Sequence, residues 1–157
     1  MQLLERDVIS SSVCENIIAD LPADENIKPL DLNNPKYPIG EWRTGSYPPQ
    51  KIAVDAMPDI LDEVYKMLGN QNYICDKMYV TKYNEGQICK NHTDPTDVTA
   101  IILLNDNFTG GDFVLNRRKL RLRRGDILLF GKNTDHAVLE LTSGTRYALN
   151  VWLYKTK

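Results

Sequence analysis

The chain is short of the residues that build most small metal or disulfide scaffolds. Its 157 residues include three cysteines, Cys14, Cys75 and Cys89, odd in number and far apart, with no Cys-x-x-Cys. That argues against a zinc ribbon or a disulfide framework and leads us to expect reduced thiols in a cytoplasmic compartment. Histidine is scarcer still, with only His92 and His136. No apolar run approaches the ~18 residues of a membrane span. The first residues carry Glu5, Arg6 and Asp7 where a signal peptide has an apolar core, so no membrane partner is expected. Charge is balanced at −2, which gives no global pull toward nucleic acid or an anionic surface. There is no repeat and no low-complexity tract. What remains is 42% hydrophobic and 25% charged, ordinary for a globular protein. The length suits one domain, able to bury roughly 70% of its unfolded surface. We expect a single domain over 1–157, with helical and loop support in 1–73 and a β core in 74–157.

Ser12-Val-Cys-Glu15 reads as a capping box, followed by Val13, Ile17, Ile18 and Leu21 at helical spacing, with Pro22 as the stop. Six prolines between Pro22 and Pro49 exclude a long helix there. In that stretch Tyr37, Trp42, Arg43 and Tyr47 are candidates for bordering a substrate entrance, or simply for plugging a core edge. Asp55 to Leu68 reads as a second helix, with Pro58 in its first turn, an apolar stripe of Ile60, Leu61, Val64, Met67 and Leu68, and Gly69 as its stop. From Met78 eight short strands are expected: Met78–Tyr83, Gln87–His92, Val98–Leu104, Asp112–Leu115, Lys119–Arg123, Asp126–Phe130, His136–Leu141 and Arg146–Tyr154. Regular short strands with polar turns suggest a sandwich or barrel.

The chemistry gathers around Asn91-His-Thr-Asp-Pro-Thr-Asp97. His92 and Asp94 are two apart, which on extended chain points both to one face. Singly they have plain readings, a loop histidine and a turn-forming Asp-Pro. If His136 joins them, two imidazoles and one carboxylate make a facial set that leaves positions open and suits oxygen-activating Fe(II). Ten residues after His136 stands Arg146, a fixed cation able to grip a carboxylate through two parallel hydrogen bonds.

The order His-x-Asp, distant His, then Arg resembles the Fe(II)/2-oxoglutarate-dependent oxygenases, and within them the prolyl hydroxylase branch. Tyr83-Asn-Glu-Gly86 before His92, Leu103-Leu-Asn-Asp106 with Phe108-Thr-Gly-Gly-Asp-Phe113, and Gly144-Thr-Arg-Tyr-Ala-Leu-Asn-Val-Trp152 carry the resemblance. It covers roughly residues 78–154. It implies a mainly β fold with flanking helices around a double-stranded β-helix, a jelly-roll or cupin-like core, with Fe(II) on His92, Asp94 and His136. It implies 2-oxoglutarate as cosubstrate, held by Arg146 and Tyr83, with O2 as oxidant, succinate and CO2 as products, and ascorbate as the reductant in vitro. Tyr79, Leu103, Asn150 and Trp152 are further candidates for lining the pocket, Trp152 being equally readable as core. The chain departs from the pattern at Leu103, where the oxygen-sensing enzymes carry a second pocket tyrosine. A hydroxyl from Tyr79 or Thr99 is the expected replacement. Cys89 stands where prolyl hydroxylases commonly have an aromatic.

The expected reaction is hydroxylation of a prolyl residue in a protein or peptide. The rivals are a free amino acid or small metabolite, a nucleic acid, and a non-catalytic binding module. Arg117-Arg-Lys-Leu-Arg-Leu-Arg-Arg124 holds six cations in eight residues. It reads as a solvated strand with Leu120 and Leu122 facing in, or as a contact patch for an acidic protein or RNA. With no overall positive charge, a nucleic-acid partner is not expected.

Overall fold

The structure, a computed structural model, describes residues 1–21, 28–29, 45–47, 57–69 and 72–156. Along the chain these form β1 (Gln2–Glu5), α1 (Ser11–Ala19), β2 (Lys28–Pro29), β3 (Gly45–Tyr47), α2 (Met57–Leu68), β4 (Tyr73–Tyr83), β5 (Cys89–His92), β6 (Val98–Leu103), β7 (Thr109–Gly110), β8 (Phe113–Leu115), β9 (Arg118–Leu120), β10 (Ile127–Gly131), β11 (His136–Val138), β12 (Leu141–Ser143) and β13 (Arg146–Lys155). A large sheet has the order β1-β10-β6-β13-β4-β3-β2, a smaller one β5-β11-β8-β9, and β12 pairs with β7. The pairings are antiparallel.

Strand alternation explains how one large sheet serves two cores. Met78, Val80, Val98, Ala100, Ile102, Ile127, Leu129, Leu149, Val151 and Leu153 face one way, joined by Cys14 and Ile17 of α1 and Ile60 and Val64 of α2. Tyr83, Ile101, Leu103, Leu128, Phe130 and Ala148 face the other way and meet Cys89, Phe113, Leu115 and Val138 of the small sheet. All six residues of β6 are buried because both its faces are covered, which is why it reads as a continuous apolar run. The expected β sandwich is thus present. The space between the sheets, away from the helices, is where the site is built.

Several local expectations are corrected. The cap of α1 is Ser10, whose Oγ accepts from Val13 N–H at 3.3 Å. Ser12 is the second residue of the helix, and Glu15 reaches out to Arg124 at 3.4 Å. The helix ends at Ala19, before Pro22. The stretch His136–Leu141 is two strands, because Leu139 N–H bonds Asp112 O and the chain then crosses to pair Leu141 with Gly110. Lys119–Arg123 shortens to β9, although Leu122 is buried and Arg121 and Arg123 exposed as expected. Tyr37, Trp42 and Arg43, and the side chain of Tyr47, lie outside the described residues. Among the described residues no helix is long and apolar enough to cross a membrane.

Candidate metal centre and adjoining pocket

β5 ends at His92 and β11 begins at His136, and the two are direct cross-strand partners. Their ring centroids are 4.1 Å apart. Asp94 follows in the bend after β5. That bend is pinned to β13. Thr96, buried, sets its hydroxyl 2.6 Å from Leu153 O and accepts from Leu153 N–H at 3.1 Å, while Asp97 accepts from Lys155 N–H at 2.9 Å. The ligating atoms of His92, Asp94 and His136 all lie within 4.8 Å of one another.

The imidazoles are oriented alike. His92 Nδ1 is 2.7 Å from Lys90 O, and His136 Nδ1 is 3.0 Å from Thr134 O. A carbonyl only accepts, so each Nδ1 carries a proton, and Nε2, aimed at Asp94, is the nitrogen left for a metal once any proton it shares with the carboxylate is displaced. The Nε2 atoms are 3.4 Å and 3.3 Å from the two carboxylate oxygens. Thr99 donates to Asp94 Oδ2 at 2.8 Å. Phe113 stacks on His136 with centroids 5.9 Å apart, and Phe130 lies at 4.6 Å. Burial alone would raise the Asp94 pKa, but its bonds to His136 and His92 hold it well below the carboxylate range. Burial would lower His92, yet Asp94 and Cys89 more than offset this and push it up to about 9. The pull that keeps a proton on His92 is the pull a divalent cation would satisfy. Two imidazoles and a carboxylate suit Fe(II) with positions left for other molecules.

Beside the triad opens a pocket walled by Tyr79, Thr81, Tyr83, Cys89, Ile101, Val138, Arg146, Ala148 and Asn150, among others. Arg146 is 2% exposed and sits directly across from Tyr83, its guanidinium carbon 5.3 Å from the ring centroid. No carboxylate among the described residues lies within 4 Å of it, and its buried Nε has no hydrogen-bond partner. Desolvation lowers its pKa, with Tyr83, Cys89 and Asp112 opposing. Burial, then Cys89, pushes Tyr83 well above its ordinary value against the pull of Arg146. Its hydroxyl therefore stays protonated and able to donate. A buried cation without an anion is costly, and the pocket is where an anion would relieve that cost. Close packing around Gly110 and Gly111 borders Arg146. A Cβ on Gly111 would lie 3.2 Å from Arg146 Cδ, and on Gly110 2.4 Å from Glu140 O.

Of the other candidates, Tyr79 and Asn150 line the space and two do not. Leu103 is 1% exposed, packed in the inner core with Tyr83 and Ala148, and Ile101 takes the wall position on the same strand face. Trp152 sets its ring edge-on to Tyr79, centroids 6.1 Å apart, and is absent from the wall. Thr99 is also corrected, for its hydroxyl is spent on Asp94. Cys89, noted in the sequence only as a departure, touches both halves of the site. Its Sγ is 3.7 Å from His92 Nδ1, and it lines the pocket with Tyr83, whose pKa it helps to raise. Its position three residues before His92 was the available signal.

The family model of the 2OG-Fe(II) oxygenase superfamily matches residues 78–154, a segment that contains the triad, Tyr83 and Arg146. The chain belongs to this superfamily. Fe(II) and 2-oxoglutarate are its metal and cosubstrate, and the triad and the unpartnered Arg146 fit them. The PKHD-type hydroxylase YbiX of Shigella sonnei is 31% identical over 64 residues, 37% of this chain and 28% of that protein. The aligned part is thus under a third of that relative. A Pseudomonas putida prolyl-4-hydroxylase superimposes with a TM-score of 0.74 at 14% identity, covering 98% of this chain and 92% of that one. HygX of Streptomyces hygroscopicus, solved with nickel and 2-oxoglutarate bound, gives 0.70 at 16% identity, covering 99% and 83%. At such identities these two likenesses establish the jelly-roll fold.

Proposed function

We propose that this protein is an Fe(II)- and 2-oxoglutarate-dependent dioxygenase that hydroxylates a prolyl residue of a protein or peptide. The observation that carries the reaction class is Arg146, a buried guanidinium without an anion, in the same pocket as a His-Asp-His triad. The prolyl assignment is supported by the Tyr-x-x-Gly and Arg-Tyr-Ala sequence segments and by the fold shared with the Pseudomonas enzyme.

When bound, iron and 2-oxoglutarate supply the oxidising chemistry, in which one atom of O2 ends in succinate, with CO2 released, and the other in the hydroxylated C–H bond. The chain's part is placement. His92 and His136 offer Nε2 because Lys90 and Thr134 carbonyls hold the Nδ1 protons, and Thr99 fixes the Asp94 carboxylate. Arg146 would pair with the distal carboxylate of 2-oxoglutarate, and the Tyr83 hydroxyl would donate to it. The walls of Ile101, Val138 and Ala148 exclude water and so strengthen that ion pair.

The test is succinate formation from 2-oxoglutarate with Fe(II) and ascorbate, comparing wild type with His136→Ala, with and without proline-containing peptides. Uncoupled turnover that disappears in the variant supports the reaction class. A one-oxygen mass gain on proline supports the substrate. Turnover that no peptide stimulates would redirect the search to small metabolites, and no turnover with no 2-oxoglutarate binding would sink the enzyme reading.

A further inference from the structure

β8 and β9 are joined by a two-residue turn, Asn116-Arg117, with Leu115 opposite Arg118. Both turn residues have positive φ, 48° and 66°, the geometry of a type I′ hairpin, whose second position ordinarily takes glycine. This chain keeps an arginine there at the expense of backbone strain. The hairpin stands at the metal end of the small sheet. Cross-strand register places His92 opposite His136, His136 opposite Leu115, and Leu115 opposite Arg118. Directly opposed residues project to the same face. Arg118 is therefore on the ligands' face, two strand spacings or about 10 Å from His136. Asn116 N–H bonds Asp135 O at 2.9 Å, which fastens the tip to the loop that precedes His136.

Arg121 pairs with Asp112 at 3.6 Å and Arg124 with Glu15 at 3.4 Å. Arg117, Arg118, Lys119 and Arg123 are exposed and have no carboxylate within 4 Å among the described residues, and of these Arg117 and Arg118 stand at the hairpin tip on the metal side. A chain of net charge −2 thus keeps two unneutralised cations, Arg117 and Arg118, on the hairpin beside the triad. No aromatic side chain among the described residues is exposed to stack a base, which disfavours single-stranded nucleic acid.

We propose that the Arg117-Arg118 tip is a cationic rim that selects acidic peptides, gripping a carboxylate side chain displaced from the reacting residue. This rests on the prolyl-peptide reading above and names its substrate class. At ~3.3 Å per extended residue, the favoured acidic position lies about three residues from the target proline.

The test reads binding without turnover. Protein loaded with Mn(II) and 2-oxoglutarate is titrated into two labelled dodecapeptides with a central proline, one bearing glutamates three residues to either side and the other glutamines. The acidic peptide should bind on the order of three- to tenfold tighter, with the advantage fading as NaCl rises. Arg118→Glu should abolish the preference. Arg117→Gly should weaken it while raising the melting temperature, which separates lost binding from lost fold. Equal affinities for the two peptides, or a preference that survives both substitutions, overturns the rim and leaves the prolyl reading standing. Binding of neither peptide overturns both. Displacement of the acidic peptide by polyuridylate at matched charge, more effective than by polyglutamate, reassigns the patch to nucleic acid.

Discussion

His92 and His136 face each other directly across the β5–β11 pair although 44 residues separate them. A one-residue slip in that pairing would turn His136 to the opposite face of the sheet and dismantle the triad. Asp94 has no strand to hold it and relies instead on the pinned bend and on the Thr99 hydroxyl at 2.8 Å. Thr99→Val keeps the shape and removes that bond. Groups that orient a metal ligand are worth about 10–100-fold in affinity, so Mn(II) binding by calorimetry should weaken by about that factor while the circular dichroism spectrum is unchanged. Wild-type affinity in the variant would mean that the bend alone positions Asp94.

Arg146 carries a prediction with two signs. Ligand-free, its guanidinium is buried without an anion, so Arg146→Met should stabilise the protein by about 1–3 kcal/mol. The same change should raise KM for 2-oxoglutarate on the order of 100-fold, as expected for truncating one side of a buried ion pair. Thermal melts with and without 2-oxoglutarate read both at once: the variant should start higher and gain nothing from the ligand. A variant that melts lower than wild type would mean that Arg146 holds the fold rather than awaiting an anion.

The paired glycines should separate into fold and function. Gly110 has φ +75° and backbone oxygen in the space of a Cβ, so Gly110→Ala should cost about 2–4 kcal/mol. At Gly111, φ +64°, the Cβ meets the side chains of Leu141, Arg146 and Phe108 at 3.1–3.3 Å, which can yield. Gly111→Ala should therefore destabilise less but raise KM for 2-oxoglutarate by shifting Arg146. Urea titrations and cosubstrate kinetics on the pair distinguish them, and equal stability losses with no change in KM would contradict the division.

The parts of this architecture that were legible are those written in alternation. On β13, Arg146, Ala148 and Asn150 turn to the site while Leu149, Val151 and Leu153 turn to the helices, a period of two that any strand imposes. His92 and Asp94 could be read the same way. What escaped is set by contacts between distant segments. Whether Leu103 or Ile101 reaches the pocket depends on how deep the small sheet sits over β6, which no local pattern records. Thr99 could have served cosubstrate or ligand, and only the arrival of Asp94 at its hydroxyl decides. The break after Val138 exists because the Gly110 strand captures Leu141. The helix is capped at Ser10, where the Oγ meets Val13 N–H, and Glu15, the residue a capping box at Ser12 would use, pairs with Arg124.

Cys14 ties the helix face of the sheet to pH. It is fully buried among α1, β6 and β10 residues, and desolvation, only partly opposed by Arg124, pushes its thiol up to about 11 from 9.0. The folded state therefore holds the proton more tightly than the unfolded chain. Stability from this group is complete below pH 9 and is lost as pH rises from 9 through 11, where the unfolded form gains by ionising. Between pH 8 and pH 10 the loss should be about 1.4 kcal/mol. Cys14→Ala lacks the titration, so its stability deficit against wild type should shrink by that amount over the same interval in urea unfolding. At pH 8 native Cys14 should also resist a thiol reagent that denatured protein consumes at once. A deficit that stays constant with pH, together with rapid native labelling of Cys14, would place the thiol in contact with water and undo the packing of α1 on the large sheet.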